Sequence, residues 1–273
     1  MGAHLTRVIS DVHYADRGSR VRSLSQLRPL LEGVDELAIN GDTLDTRPQR
    51  NGQHSTQARR EVLEYFGSLG TRVTFLTGNH DPDISRLHCL EFARGRILVT
   101  HGDVLFDNMV PWSKDAAVIR QRVIAALAGL PDDGTCRLDS RLAAFRSVAA
   151  TIPQHHQSEP DPLRYAIRLA GDTVWPPQRL LSILRAWREA PDRAAALARR
   201  HRPKAQFILI GHTHKPGVWK MASGIVVINT GSFCRPFGAM AADITSEAIT
   251  VREVISKRGA FHAGKKVAEF PIT

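Results

Sequence analysis

Short apolar runs alternate with amphipathic stretches over the first hundred residues of the chain. Four of these runs have the length and the β-branched content of buried strands, and they span 5–10, 36–40, 72–76 and 96–100. Helical periodicity, with apolar residues on one face, occurs between the first and second runs and again between the second and third. Strands that alternate with helices predict an α/β fold, in which a βαβ-type sheet is layered with helices.

The spacing of apolar residues changes after residue 104. Through 105–204 they recur every three or four positions, and proline-containing breaks divide this stretch into short helices. A stretch of this length is too long for an ordinary loop, so we expect a functional insertion. We therefore predict three parts: a first part of the core at 1–104, a helical cap insertion at 105–204 and a second part of the core at 205–273.

Strand patterns return in the second part of the core. Apolar runs at 206–210 and 225–228 predict further buried strands, and 239–244 with 248–255 predict a closing antiparallel pair. The basic tail at 257–273 is expected to be partly loose.

Polar residues that can bind metals or transfer protons follow these strands. They are Asp11 and His13, Asp42, Asn79 and His80, His101, and His212 and His214. Ligands of open α/β sheets bind at the carboxyl ends of the strands, so we expect these side chains to share one site. The alternative is that each block is an ordinary turn or helix cap, which would have to hold at five strand ends independently.

Without His80, this set offers seven oxygen and imidazole ligands and no thiolate. Such a donor set favours divalent ions, with Mn²⁺ first and Fe or Zn²⁺ as alternatives, over a thiolate zinc site. Seven protein ligands exceed what one catalytic ion with an open coordination position can use. They suit two divalent metal ions about 3.5–4 Å apart, bridged by a carboxylate and a water.

Five ordered blocks of this sequence resemble the calcineurin-like metallophosphoesterase superfamily. The blocks are Asp11-Val12-His13, Gly41-Asp42-Thr43-Leu44-Asp45, Gly78-Asn79-His80-Asp81, His101 and Gly211-His212-Thr213-His214. The resemblance covers about 1–104 and 205–245, and it implies a four-layer αββα sandwich of two sheets between helices. It implies two metal sites that share Asp42 as a bridge. Their implied ligands are Asp11, His13, Asp42 and His214 for one ion, and Asp42, Asn79, His101 and His212 for the other.

The same resemblance implies hydrolysis of a phosphate ester or a nucleotide-type pyrophosphate. A metal-bridging hydroxide would attack phosphorus directly, without a covalent enzyme intermediate. His80 would protonate the leaving oxygen, and Asp81 would orient His80. Asp45 is a candidate partner for a ligand histidine. We therefore expect a metal-dependent phosphatase or phosphodiesterase with His80 and Asp81 as catalytic residues.

The formal net charge of +10 favours polyanionic partners, namely phosphate esters, nucleic acid or an anionic membrane face. Arginines of the insertion are candidates for clamping a substrate phosphate, the alternative being a solvated helical face. They include Arg120, Arg122, Arg137, Arg141, Arg146, Arg164, Arg168, Arg185 and Arg188. After the run at 225–228, Phe233 could stack on a base and Arg235 could reach a phosphate, or the segment could be a plain loop.

Three other functions follow from further features. The blocks at 101–103 and 211–216 look like the bacterial UDP-2,3-diacylglucosamine pyrophosphatase branch, a lipid A enzyme group that works at a membrane surface. The best-known members of that branch carry arginine where this chain has His80. A nuclease would fit the basic charge, although an aromatic content of 6% offers few platforms for base stacking. A non-catalytic scaffold of the same fold would be expected to lack ligands or His80, and all of them are present.

Cysteine usage and hydropathy indicate the compartment. Cys89, Cys136 and Cys234 are far apart and form no C-x-x-C pair, which fits a reducing cytoplasm. No apolar run approaches the ~20 residues of a membrane span, and no signal peptide precedes the first strand. We expect a cytoplasmic protein that acts on a small phosphorylated substrate, either a nucleotide or a lipid-linked compound. Peripheral association with the inner face of an anionic membrane is a secondary expectation, and nucleic acid is a less favoured partner.

Overall fold

The computed structural model describes residues 4–47, 53–130, 137–153 and 177–272, without the side chains of Gln53 and His54. The strands are β1 (Thr6–Ile9), β2 (Glu36–Asn40), β3 (Arg72–Leu76), β4 (Cys89–Phe92), β5 (Ile97–Thr100), β6 (Phe207–Ile210), β7 (Gly217–Lys220), β8 (Val226–Asn229), β9 (Met240–Ile244), β10 (Ala248–Lys257) and β11 (Ala260–Pro271). The α-helices are α1 (Arg28–Leu31), α2 (Gln53–Gly67), α3 (Ala116–Ala128), α4 (Leu138–Ala149) and α5 (Pro177–His201). Short 3₁₀ segments span Leu24–Leu27, Ala93–Gly95 and Asp103–Leu105.

These strands form two sheets. One has the order β11-β10-β9-β1-β2-β3, and the other has the order β4-β5-β6-β8-β7. The strands β1, β2 and β3 run parallel in the first sheet, as do β5, β6 and β8 in the second. Their apolar runs are nearly continuous because sheets of parallel strands are covered on both faces. This arrangement sends the carboxyl ends of the strands in each parallel set toward one edge of their sheet.

Alternate residues of each strand define four layers. Val8 of β1 packs with Leu209 of β6 in a cluster shared by the two sheets. Ile9 faces the opposite way, into a cluster with the residues of α1 and α2. Ile208 of β6 faces outward into the cluster that holds α3, α4 and α5. Since successive side chains of a strand point to opposite faces, this pattern places the two sheets between two helical layers.

The predicted α/β architecture with two sheets and covering helices is therefore confirmed. The helix α5 packs on the second sheet through small side chains such as Ala190, Ala194 and Ala198, which are at most 3% exposed. It thus forms part of the outer layer of the sandwich as well as part of the stretch 105–204. We retain that stretch as a proposed insertion. In the described ranges, every helix is too short or too polar to cross a bilayer.

Two expectations about the end of the chain had different outcomes. The closing antiparallel pair is confirmed as β9 and β10. The prediction of a partly loose tail is wrong, because β11 forms a long antiparallel ladder with β10 at the edge of the first sheet. Cys136, Arg164 and Arg168 lie outside the described residues.

Candidate metal centre

The predicted ligands from the two sheets meet at one end of the sandwich. Donor atoms of Asp11, His13, Asp42 and His214 all lie within 4.8 Å of one another, and a second group of the same kind comprises Asp42, His101 and His212. Asp42 belongs to both groups. Asn79 joins the second group, since its Oδ1 lies 3.3 Å from His101 Nε2. The parallel strands of the two sheets thus collect residues from five separate strand ends into one cluster.

The first group centres on Asp11. Its Oδ1 lies 3.1 Å from His214 Nε2, and that nitrogen lies 3.2 Å from His13 Nε2. His13 Nε2 is also 3.7 Å from Asp42 Oδ2. The side chain of His214 is 24% exposed, whereas Asp11, His13 and Asp42 are buried. The group is therefore reached from solvent on the side of His214.

In the second group, hydrogen bonds fix which nitrogen of each histidine is available. His101 Nδ1 donates to the carbonyl oxygen of Asn40 at 2.9 Å, so its Nε2 faces Asp42 Oδ2 at 3.3 Å. His212 Nε2 donates to the carbonyl oxygen of Met109 at 2.8 Å, which leaves its Nδ1 lone pair for a ligand. A nitrogen lone pair opposite a carboxylate oxygen is repulsive unless a proton or a cation lies between them.

Five of the candidate ligands adopt left-handed backbone conformations. They are Asp11 (φ 51°), His13 (φ 48°), Asp42 (φ 53°), His212 (φ 63°) and His214 (φ 59°). This region is uncommon for residues other than glycine, although Asp and His visit it more often than most. Such conformations cost about 1–3 kcal/mol each and persist where the surrounding structure holds them in place. The turns let Asp11 and His13, two residues apart, reach the same group.

Two glycines make room for ligand carboxylates. A Cβ atom on Gly78 would lie 2.2 Å from Asp42 Oδ1, and one on Gly211 would lie 2.2 Å from Asp11 Oδ2. Each of these glycines directly precedes a ligand of its own block, Asn79 or His212. The glycine in each motif therefore lets its turn pack against a carboxylate from a different motif.

Burial and charge set the protonation states. Burial lowers the pKa of His13 to about 4 and that of His212 to about 3, so both imidazoles are neutral near pH 7. Burial also lowers the pKa of His101, but the Asp42 charge outweighs it and holds that pKa well above its ordinary value. For Asp11 and Asp42, burial raises the pKa, yet the neighbouring histidines bring it below the usual range. Ionised carboxylates and neutral imidazoles are the forms that bind metals, so a cation bound at His101 would displace the second proton that Asp42 favours there.

His80 lies beside this cluster and lines the pocket above it. Its Nδ1 is 2.9 Å from Asp45 Oδ2, and Arg47 Nη2 lies equally close to the same nitrogen. Arg47 in turn donates to both oxygens of Asp45, at 3.0 and 2.7 Å. Burial and Arg47 lower the pKa of His80, but the Asp42 and Asp45 carboxylates outweigh them and raise it overall. These contacts hold the His80 ring in place and favour its protonated form.

The prediction that Asp81 orients His80 is wrong. Asp81 is 0% exposed and accepts backbone hydrogen bonds from Asp42 (2.9 Å), Thr43 (2.6 Å) and Gly78 (2.8 Å). Burial and the Asp42 charge raise its pKa to about 7. Both of its oxygens are therefore engaged in joining the turns after β2 and β3. Asp45, which we expected beside a ligand histidine, contacts His80 instead.

The donor set fits two divalent cations. It combines carboxylate, amide and imidazole groups, and two buried ionised carboxylates, Asp11 and Asp42, lie in the same group of donor atoms. Buried like charges are costly unless positive charge neutralises them. As proposed ligands, Asp11, His13, Asp42 and His214 would hold one ion, and Asp42, Asn79, His101 and His212 would hold the other.

A pocket of about 330 Å³ opens above the cluster, and Asp42, Asn79, His80, His212 and His214 form its floor. Three cationic side chains, Arg47, Lys114 and Arg179, also line it. None of the insertion arginines singled out from the sequence lies among the described lining residues. Several of them bind protein groups instead: Arg141 pairs with Asp107, and Arg122 donates to Thr151.

Sequence reasoning missed the aromatic residues of this pocket. Trp112, Trp187 and Phe237 line it, whereas Phe233, which we considered for base stacking, is 0% exposed and packs on Phe261 in the core. Trp187 Nε1 donates to the carbonyl oxygen of Thr213 at 2.8 Å, between two candidate ligands. Trp187 lies on α5, and Trp112 and Phe237 lie in connecting segments. An apolar residue at any of these places has the same sequence signature in a core as in a pocket, so only the fold separates the two.

Several solved structures resemble the chain at low identity. A conserved protein of Streptococcus pneumoniae described as a predicted phosphoesterase is 15% identical, with 99% of both chains covered and a TM-score of 0.40. A dimetal phosphatase of Danio rerio is 16% identical, with 100% of this chain and 99% of that chain covered and a TM-score of 0.47. Vacuolar protein sorting 29 of Cryptosporidium parvum is 14% identical, with 98% of both chains covered and a TM-score of 0.43.

No curated protein sequence matches the chain. The family model of the calcineurin-like phosphoesterases matches residues 6–216, a range that contains every candidate ligand and His80. The chain therefore belongs to the calcineurin-like phosphoesterase family.

Proposed function

We propose that this protein is a two-metal-dependent phosphoesterase that hydrolyses a phosphate ester or a nucleotide-type pyrophosphate. The observation that carries the proposal is a pair of buried donor groups that share Asp42 and lie beside His80, at the floor of a pocket. When bound, two divalent cations (Mn²⁺ by preference, Fe or Zn²⁺ as alternatives) lower the pKa of a water nucleophile and neutralise phosphoryl oxygens.

The protein side chains hold and orient the reacting groups. Asp11, His13 and His214 hold their donor atoms through the strained turns described above, so little rearrangement is needed on binding. Asp42, shared by the two groups, fixes their relative position. Its Oδ1 also accepts the backbone N–H of His80 at 2.8 Å, which ties the acid residue to the same carboxylate.

His80 is the proposed general acid. Because Asp45 is a carboxylate and can only accept, Nδ1 of His80 carries a proton toward it and Nε2 holds the proton to be transferred. On cleavage, that proton passes from Nε2 to the leaving oxygen as its bond to phosphorus breaks. Lys114 and Arg179 add positive charge to the wall of the pocket, where the negative charge of the phosphate must be bound.

The test is hydrolysis by metal-free protein reconstituted with Mn²⁺. The substrates are p-nitrophenyl phosphate, bis-p-nitrophenyl phosphate and a UDP-sugar, each assayed beside Asp42→Asn and the exposed control Asp192→Asn. We expect metal-dependent turnover that is lost in Asp42→Asn and retained in Asp192→Asn. No turnover of any substrate while two equivalents of metal are bound would count against this proposal, and it would favour a non-catalytic scaffold or an enzyme whose cap admits one narrow substrate. Where turnover occurs, the relative kcat/KM values for the monoester, the diester and the pyrophosphate assign the reaction subclass.

The proposed substrate class rests on the pocket, and the proposed compartment rests on composition and charge. We propose a small phosphorylated molecule as the substrate because the donor groups lie inside a pocket. A cytoplasmic location and peripheral association with an anionic membrane stay predictions from composition and charge, testable by co-sedimentation with anionic vesicles at two salt concentrations.

A further inference from the structure

The pocket above the metal centre has walls that phosphate chemistry alone does not require. Three aromatic side chains, Trp112, Trp187 and Phe237, line it together with aliphatic residues that include Ile119 and Ile183. A site that had to hold only inorganic phosphate or a short polar ester would be expected to present polar groups throughout. These walls instead require an apolar portion in the ligand.

Two of the aromatic rings lie next to the rings of candidate ligands. The Trp112 ring lies 5.5 Å from the ring of His212, with a tilt of 36°. The Phe237 ring lies 5.7 Å from the ring of His214, and Trp187 lies 5.9 Å from Phe237, both in edge-on geometry. A substrate whose phosphoryl group reaches the metal centre must therefore place its remaining atoms against these rings.

Charged residues line the same pocket. The cationic residues Arg47, Lys114 and Arg179 line the pocket together with one acidic residue of the insertion, Asp115. Arg47 already pairs with Asp45 at the floor, close to His80. Positive charge in the pocket thus suits the phosphoryl group of a substrate, and the aromatic side chains suit an apolar portion of the same molecule.

We propose that Trp112, Trp187 and Phe237 are specificity-determining residues, which select a small phosphoester that carries an aromatic or heteroaromatic ring. This inference rests on the proposed phosphoesterase function. The pocket volume of about 330 Å³ lies at the lower end of small-molecule sites, which favours a compact ligand over a polymer. Flat rings gain from edge-on and offset contacts with aromatic side chains beyond the burial of apolar area, roughly tenfold in affinity at most.

The test compares three substrates with one leaving group. They are the 2,2,2-trifluoroethyl monoesters of methylphosphonate, n-hexylphosphonate and phenylphosphonate, whose shared leaving group has no ring, assayed with Mn²⁺-loaded protein by release of trifluoroethanol and normalised to their rates with hydroxide. We expect kcat/KM to be about fivefold higher for the phenyl ester than for the n-hexyl ester, and higher for both than for the methyl ester. Equal or greater kcat/KM for n-hexyl would overturn the ring requirement, because plain apolar burial would then explain the selectivity.

Substitutions of the aromatic residues test which side chains cause the preference for the phenyl ester. In Trp112→Leu and Phe237→Leu, the ratio of phenyl to n-hexyl kcat/KM should fall to about one. The same substitution at Trp219, on β7 and outside the pocket, should leave the ratio unchanged. A ratio that survives both pocket substitutions would overturn the assignment of these residues. Metal-dependent turnover of all three esters at equal rates would refute this inference alone, whereas the proposed function is refuted separately, by the absence of metal-dependent turnover of p-nitrophenyl phosphate, the diester and the UDP-sugar.

Discussion

Asp45 Oδ2 lies 2.9 Å from His80 Nδ1, although the two residues come from turns after different strands. Burial raises the pKa of Asp45, but the His80 and Arg47 charges bring it well below the usual range. The carboxylate is therefore ionised throughout the neutral pH range. It fixes the His80 ring with Nδ1 protonated and raises the affinity of that ring for a second proton, which is the proton that an acid catalyst donates.

Replacing Asp45 by Asn should therefore shift the pH profile of hydrolysis. The substitution removes a charge that raises the pKa of His80, so that pKa falls. An acid catalyst works in its protonated form, and its activity is lost as pH rises through its pKa. The alkaline limb of kcat/KM should move to lower pH, with about tenfold lower activity at pH 8 on a substrate with a poor leaving group. An alkaline limb that stays in place would contradict the assigned pair.

Removal of Asp81 should act on stability instead. Asp81→Ala leaves the backbone N–H groups of Asp42, Thr43 and Gly78 buried without their acceptor. We expect a loss of about 3 kcal/mol in the free energy of unfolding, together with weaker metal binding, because these groups shape the turn that carries Asp42. Urea unfolding and metal titration measure the two effects. If Asp81→Ala is as stable as the exposed control Asp192→Ala, the structural role is wrong.

The grouping of the candidate ligands could be predicted from the sequence because parallel strands bring the residues that follow them to one edge of a sheet. Any polar residue directly after a parallel strand is brought to the same edge, so Asp11, Asp42 and His101 needed only correct strand assignments. The choice between Asp45 and Asp81 as the partner of His80 depends on the direction of a side chain after a short turn. That direction is set by left-handed φ values at Asp42 and its neighbours, which sequence patterns do not encode.

The segment 257–273 shows a different limit of prediction from sequence. Its basic residues suggested a loose segment, yet β11 buries Phe261 in the cluster under the helical layer and Phe270 in the cluster between the sheets, while Lys265 and Lys266 are exposed. Register shifts in the ladder between Val251 and Val254 interrupt the alternation. A bulge moves the apolar set to the other face, so a continuous period of two is not visible in the sequence.

Substitution of Gly78 should disable the metal centre without a change in any ligand. In Gly78→Ala, the new Cβ would meet Asp42 Oδ1 at 2.2 Å and the Asp42 backbone nitrogen at 2.5 Å, so the shared carboxylate must move. We expect at least tenfold weaker Mn²⁺ binding by titration calorimetry. Gly70→Ala is the matched control, because a Cβ there meets nothing within 4 Å. Equal affinities for the two variants would show that the turn adapts without moving Asp42.

Metal removal should lower the melting temperature. The buried carboxylates Asp11 and Asp42 lie close together, and bound cations stabilise only the folded arrangement. At free Mn²⁺ of 100 times its dissociation constant, the linkage amounts to about 2.7 kcal/mol. For a chain of this length that is roughly 5–10 °C in Tm. Chelation followed by readdition of Mn²⁺ measures the shift, which should be absent in Asp42→Asn and present in Asp192→Asn.

The ion pair between Arg7 and Asp243 should matter for stability alone. These residues lie directly opposite each other on β1 and β9, are 5% and 6% exposed, and form two hydrogen bonds of 2.6 and 2.7 Å. Among the described residues, Arg7→Met leaves Asp243 buried with the half-exposed Arg252 at 3.3 Å, so we expect a loss of about 3 kcal/mol in the free energy of unfolding, measured with urea.

Adding Asp243→Leu to Arg7→Met should recover most of that loss, because it removes the unpaired charge. Arg252→Met should cost less than about 1 kcal/mol. A double variant as unstable as Arg7→Met would instead assign the loss to packing in this part of the sheet.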